Sequence, residues 1–154
     1  GMIDLSRIFH TGIIVEDLEK AMVKLGEALG LEWTEVKAFD PIVHWIPGKG
    51  RSEIAMKAVY SRQGPVHLEV CEGPAGSFYD TSNQPDGRHI GVWVDDLVGE
   101  TERLVSAGWR ILAANGTPDE GYGVIAYLTP PDESFVIELV DAELKPMIDE
   151  WTTG

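Results

Sequence analysis

His10-Thr-Gly-Ile-Ile-Val-Glu-Asp-Leu18 returns later in the chain as His89-Ile-Gly-Val-Trp-Val-Asp-Asp-Leu97. Histidine, glycine, valine, aspartate and leucine keep their order, and the changes between them are mostly conservative. A shorter pair closes each half: Val66-His-Leu-Glu69-Val-Cys-Glu72 against Phe135-Val-Ile-Glu138-Leu-Val-Asp141. Each half therefore opens on an apolar strand with a histidine and ends on an apolar strand with a glutamate.

Outward from these stretches, residues 8–15 are rich in β-branched side chains and predict a strand. Glu16-Asp17 places acids at the positive end of a helix dipole. Leu18, Ala21, Met22, Leu25 and Leu29 then recur at helical spacing, and Gly30 supplies a stop. Strands are predicted over 31–37, 39–46, 52–61 and 66–72, with Pro47-Gly-Lys-Gly50 and Arg62-Gln-Gly-Pro65 as turns. The second half predicts a strand at 89–94, a helix at 95–107 and strands at 109–114, 124–128 and 134–140. A short helix at 142–151 has no counterpart in the first half.

Both halves read β-α-β-β-β, which gives an α+β fold. The expected organisation is a single domain over 2–141, made of two pseudo-symmetric modules, 7–72 and 88–141. Residues 73–87 are the linker and 142–154 a C-terminal helical extension. One such unit cannot bury its sheet alone. Two copies paired about a pseudo-two-fold axis share a concave centre.

Length and composition agree with a soluble domain. The 154 residues suffice for one core, and 44% are hydrophobic against 25% charged. The single cysteine, Cys71, excludes an internal disulfide and suits a reducing compartment. No apolar run approaches membrane-spanning length and no signal-peptide pattern is present, so the expected location is cytoplasmic. Gly1 before Met2 reads as a remnant of tag removal. A formal net charge of −14 repels phosphate backbones and argues against nucleic-acid partners.

The chemistry lies in the four repeated polar residues. Side chains on a strand alternate faces, so pseudo-symmetry sends His10 and His89 to the same place, and Glu69 with Glu138. Alone, a strand histidine is an ordinary core residue and a strand glutamate an ordinary surface one. Glu69 and Glu138, however, lie between aliphatics in strands that read as buried, and a buried carboxylate needs a cation. Two imidazoles and two carboxylates suit a divalent Zn, Ni, Co, Mn or Fe ion.

His-x-Gly-Ile-x-Val-x-Asp-Leu with a closing Ile-Glu-Leu-Val resembles the vicinal oxygen chelate superfamily, which includes glyoxalase I, methylmalonyl-CoA epimerase, extradiol dioxygenases and bleomycin-resistance proteins. The resemblance covers about residues 7–141. It implies paired β-α-β-β-β modules, each wrapping half of a metal site, with His10, Glu69, His89 and Glu138 as ligands. This ligand set looks most like glyoxalase I; epimerases usually have glutamine where Glu69 stands. Extradiol dioxygenases keep open metal positions that a fourth ligand fits poorly, and binding members commonly lack the quartet. The local wording around Gly87–Asp96 and Glu53-Ile-Ala-Met56 leans toward the epimerases.

What the resemblance implies is a metal-dependent isomerase or lyase that abstracts a proton next to a carbonyl. The base is Glu69 or Glu138 in a glyoxalase-like reaction and Glu53 in an epimerase-like one. The expected partner is a small molecule with adjacent oxygens or a thioester, and the family also suggests a homodimer. The rival reading is a non-catalytic small-molecule binding protein. Lys49, Arg51, Lys57 and Arg62 gather near one hairpin, either to receive an anionic substrate group or simply as a solvated surface. His67 shares the Glu69 face and is a candidate substrate contact. Phe78-Tyr79 in the linker either anchors it to the core or lines a pocket. His44 has no evident role.

Overall fold

The computed structural model describes residues 4–83 and 87–154. The linker positions 84–86 and the expected tag remnant at Gly1 lie outside the described residues. The first module runs β1 (Ile8–Ile14), α1 (Leu18–Leu29), β2 (Lys37–Ile46), β3 (Gly50–Tyr60) and β4 (His67–Glu72). The second runs β5 (Arg88–Val94), α2 (Leu97–Ser106), β6 (Arg110–Ala114), β7 (Ile125–Thr129) and β8 (Ile137–Asp141). A 3-10 turn at Ala142–Leu144 leads into α3 (Lys145–Thr153).

The eight strands close into a barrel in the order β1-β4-β3-β2-β6-β7-β8-β5. Within each module the first and last strands are parallel, β1 with β4 and β5 with β8. Between modules, β1 runs antiparallel to β5 with His10 opposite Gly91 and Gly12 opposite His89. That reciprocal register is the pseudo-two-fold symmetry written into the repeat. The other seam is short and pairs Trp45 of β2 with Ala114 of β6.

The helix starts follow from the repeated aspartates. Asp17 accepts a hydrogen bond from the Lys20 amide and Asp96 one from the Gly99 amide, capping α1 and α2 alike. Gly30 ends α1 in the left-handed conformation that a side chain resists. Each helix covers the outer face of its module. Leu18, Met22 and Leu25 of α1 pack on Val59 and Val70, and Leu97 and Leu104 of α2 pack on Val92, Ala126, Leu128 and Leu139. The inner faces of the strands make a third core that includes Phe9, Ile54, Met56, Tyr60 and Val140.

Two expected strand boundaries shift. Residues 31–36 form a loop rather than a strand, and only Trp33 makes an isolated bridge, to Ser61. The Trp33 indole turns away to donate to the Met22 carbonyl of α1, which holds this segment against the helix instead of extending it along the sheet. The last strand begins at Ile137 rather than 134. Pro41, which has no amide to give, falls where the β2–β3 register shifts between Phe39 and Ile42.

The C-terminal segment does not trail into solvent. Trp151 of α3 packs edge-on against Tyr60, with centroids 4.8 Å apart, and its indole donates to the Glu35 carbonyl at 2.9 Å. The helix thus lies over the first module, beside the open end of the barrel interior.

Candidate metal centre

His10 and Glu69 come from the parallel pair β1–β4, and His89 and Glu138 from β5–β8. Glu69 stands opposite Gly12 and Glu138 opposite Gly91, so each glutamate flanks the residue that faces the other module's histidine. All four side chains are buried. One ligand atom from each lies within 4.8 Å of every other. His10 Nε2 is 3.0 Å from Glu138 Oε1 and 3.4 Å from Glu69 Oε1. His89 Nε2 is 3.1 Å from Glu69 Oε1 and 3.4 Å from Glu138 Oε1. Each histidine is thus closest to the glutamate of the opposite module.

Electrostatics and hydrogen bonding both favour a cation at this point. The two Nε2 atoms face each other at 3.1 Å, a contact that one proton can satisfy on one side only. Burial alone would raise the Glu138 carboxyl, yet the hydrogen bonds from His10 and His89 hold it well below the usual range. Glu69 is lowered too, as the charge on His10 and a hydrogen bond from His89 outweigh its burial. For His89, burial pulls the imidazole down, but Glu138 and Glu69 overcome it and raise it to about 9. The donor set of two imidazole nitrogens and two carboxylates fits a divalent transition metal.

Among the described residues neither imidazole has a hydrogen-bond partner on Nδ1, where a metal-bound histidine commonly has an acceptor that fixes its ring. Packing performs that task here. A Cβ built on Gly91 would overlap the His10 ring, and one on Gly12 the His89 ring. The glycines of the repeated His-x-Gly are seats for the histidines across the seam.

Three members of the quartet, His10, Glu69 and Glu138, line a cavity of about 470 Å³, a size typical of small-molecule sites. A register shift between Ile8 and His10 marks a bulge at which consecutive Phe9 and His10 both reach this cavity. Cys71, two residues beyond Glu69, also lines it, and burial pushes its thiol well up.

The remaining sequence candidates fall elsewhere, with one exception. Glu53 projects to the outer face of β3, because Ile54, Met56 and Ala58 take the inner one; it pairs with Arg51 at 2.7 Å and does not line the cavity. His67 is half-buried at the β3–β4 turn, where its Nδ1–H donates to the Ser61 carbonyl at 2.8 Å, and it too stays outside. Phe78 packs in the core against Tyr127 and His44. Tyr79 does line the cavity and also anchors the linker, its hydroxyl 2.8 Å from His44 Nε2 and 3.2 Å from the Tyr127 hydroxyl.

Sequence reasoning missed two features of the site. His44, fully buried, is the partner that ties Tyr79 into the barrel, and burial lowers its imidazole to about 4. Tyr60 and Tyr127 stand across the hairpin from Glu69 and Glu138 respectively and set their rings edge-on to His10 and His89. One signal was available for the tyrosines: each precedes its glutamate by one hairpin, so aligning the two halves on the glutamates brings them near each other.

Residues 9–127 match the family model of the Glyoxalase/Bleomycin resistance protein/Dioxygenase superfamily. The chain is 27% identical over 134 residues to the lactoylglutathione lyase of Neisseria meningitidis serogroup A / serotype 4A (strain DSM 15465 / Z2491), covering 87% of this chain and 89% of that one. Its fold is similar to methylmalonyl-CoA epimerase from Mycobacterium tuberculosis, with a TM-score of 0.55 and 20% identity over 91% of this chain and 92% of that one. A methylmalonyl-CoA epimerase variant of Streptomyces coelicolor, bound to 2-nitronate-propionyl-CoA, is similar at a TM-score of 0.56 and 20% identity, covering 90% of this chain and 95% of that one. On the strength of a family match over most of its length, this chain belongs to the Glyoxalase/Bleomycin resistance protein/Dioxygenase superfamily.

Proposed function

We propose that this protein is a divalent-metal-dependent isomerase or lyase that moves a proton on the carbon next to a carbonyl. The observation that carries the reading is the convergence of two histidines and two glutamates at the wall of a small-molecule cavity. The kinship with a lactoylglutathione lyase supports it. His10, Glu69, His89 and Glu138 would hold the ion, which as a Lewis acid supplies polarisation of a substrate oxygen and stabilises the negative charge that develops there.

The protein's own groups do the rest. Glu69 and Glu138 reach the cavity, and either carboxylate can accept the substrate proton and return it to a neighbouring atom. Glu53, on the outer face, takes no part. Tyr60 lines the cavity beside His10, with a hydroxyl that burial keeps protonated and that hydrogen-bonds to Glu69, so it would steady that carboxylate at the cavity wall. The apolar walls keep bulk water from the carbanionic charge.

The deciding test is the metal content of the purified protein and its His89→Ala variant, followed by solvent deuterium exchange into candidate carbonyl substrates. Near-stoichiometric metal in the wild type, lost in the variant, together with exchange that depends on the metal, is the expected outcome. A protein that takes up none of Zn, Ni, Co or Mn is instead a non-catalytic binding member of the superfamily.

A further inference from the structure

The cavity beside the quartet differs in character from the quartet itself. Apart from the metal-binding set, its polar groups are Cys71, Asn115 and three tyrosine hydroxyls. Two of those hydroxyls, on Tyr79 and Tyr127, already face each other, and that of Tyr79 also meets His44 Nε2. Phe9, Phe39, Ile42, Met56 and Val140 supply apolar wall from the barrel, and no lysine or arginine lines it among the described residues. The basic hairpin that sequence offered as an anion receptor is engaged elsewhere. Arg51 pairs with Glu53 and Lys57 with Glu72. Arg62 donates to the Trp33 and Gly154 carbonyls, and Lys49 borders a separate depression.

The C-terminal helix adds a further wall. Leu144, Met147, Ile148 and Trp151 all line the cavity, and the Trp151 indole is pinned to the Glu35 carbonyl. Away from the ion the quartet would hold, an anionic group entering here would meet no cationic side chain among the described residues and would lie against an apolar helix, in a protein of net charge −14. Burying such a charge without a cationic partner is strongly unfavourable.

Building on the metal-dependent reading above, we infer that the cavity takes an uncharged, largely apolar carbonyl compound with an aryl or alkyl body. A thioester or thiol adduct that carries phosphate or carboxylate handles does not fit, and α3 is the element that sets this preference. The superfamily's lyase and epimerase relatives therefore resemble this protein in chemistry rather than in substrate body.

The test is isothermal titration of the zinc-loaded full chain with 1-phenyl-1,2-propanedione, an uncharged aryl diketone, beside glutathione and propionyl-CoA. The diketone is expected to bind with a Kd below about 1 mM, and the two anionic compounds to give no saturable signal. Met147→Lys, at a half-exposed position of the cavity wall where a lysine can reach solvent, should weaken the diketone several-fold and bring propionyl-CoA into measurable range. Tighter binding of propionyl-CoA or glutathione than of the diketone, or no diketone binding at all, overturns the inference. The same titration on metal-free protein separates the two readings. Zinc uptake without diketone binding sinks the substrate class alone, whereas diketone binding without zinc uptake sinks the metal-dependent mechanism alone.

Discussion

Gly12 lies across the β1–β5 ladder from His89, and the ring of His89 occupies the space a Gly12 side chain would need. Gly91 and His10 repeat the relationship in mirror order. Because neither ring is held at Nδ1, these two seats carry the orientation that an acceptor usually provides. Gly12→Ala or Gly91→Ala should therefore cost metal affinity with all four ligands intact. A loss of about tenfold or more is expected, the scale seen when the support of a metal-bound histidine is removed. Competition with a chromophoric chelator measures it, and circular dichroism checks that the barrel persists. Unchanged zinc affinity in both variants would show that the rings are oriented by something else.

In the metal-free protein His89 is raised to about 9 by Glu138 and Glu69 against the pull of burial. It therefore carries a proton at pH 7, and a metal must displace it. Zinc binding should release about one proton at neutral pH, and its affinity should rise close to tenfold per pH unit between 7 and 9. Calorimetry in buffers of different ionisation enthalpy reads the proton count. A pH-independent affinity across that range contradicts the coupling.

His44 moves the other way, since burial lowers its imidazole to about 4 from the ordinary 6.5. The unfolded chain then takes up this proton first as pH falls. Stability from His44 is full above pH 6.5 and drains away between 6.5 and 4, by about 3 kcal/mol. Denaturant titrations of wild type and His44→Gln at a series of pH values isolate the contribution. The variant should be less stable at neutral pH and lose less on acidification through that window.

Glu53→Gln should leave turnover of any substrate within about twofold, because surface changes that touch no site rarely alter more. Glu138→Gln should lose metal and activity together. The contrast distinguishes a base in the cavity from one on the outer face of β3, and a large fall in kcat for Glu53→Gln with metal retained would restore the latter.

The centre was legible because its parts are local. Each His-x-Gly and each buried glutamate sits inside a short apolar motif, and the repeat itself announces that two such motifs share one place. The outward position of Glu53 was readable from strand parity, since Ile54, Met56 and Ala58 claim the inner face and leave Glu53, Ala55 and Lys57 outside. His44 and Tyr79 were beyond reach because their contact joins a strand of the first module to the linker, and neither stretch carries a pattern that points to the other. A short terminal helix was expected over 142–151, but a helical period says nothing about which surface its apolar side will cover. Residues 31–36 failed as a strand because the Trp33 indole found a carbonyl on α1, a tertiary contact that overrides local preference.

The two seams of the barrel are unequal. The β1–β5 ladder runs from Ile8 to Ile13, whereas β2 and β6 meet at Trp45 and Ala114, aided by the Asn115 side chain reaching the Val43 carbonyl. A closed sheet opens most readily where the fewest bonds hold it, so local opening is expected first along the β2–β6 line. Val43, Asn115 and Val124, which border that line, also border the cavity. The β1–β5 seam that carries both histidines is therefore the firmly laddered one, and the thinnest line of the barrel lies on the opposite side of the strand order.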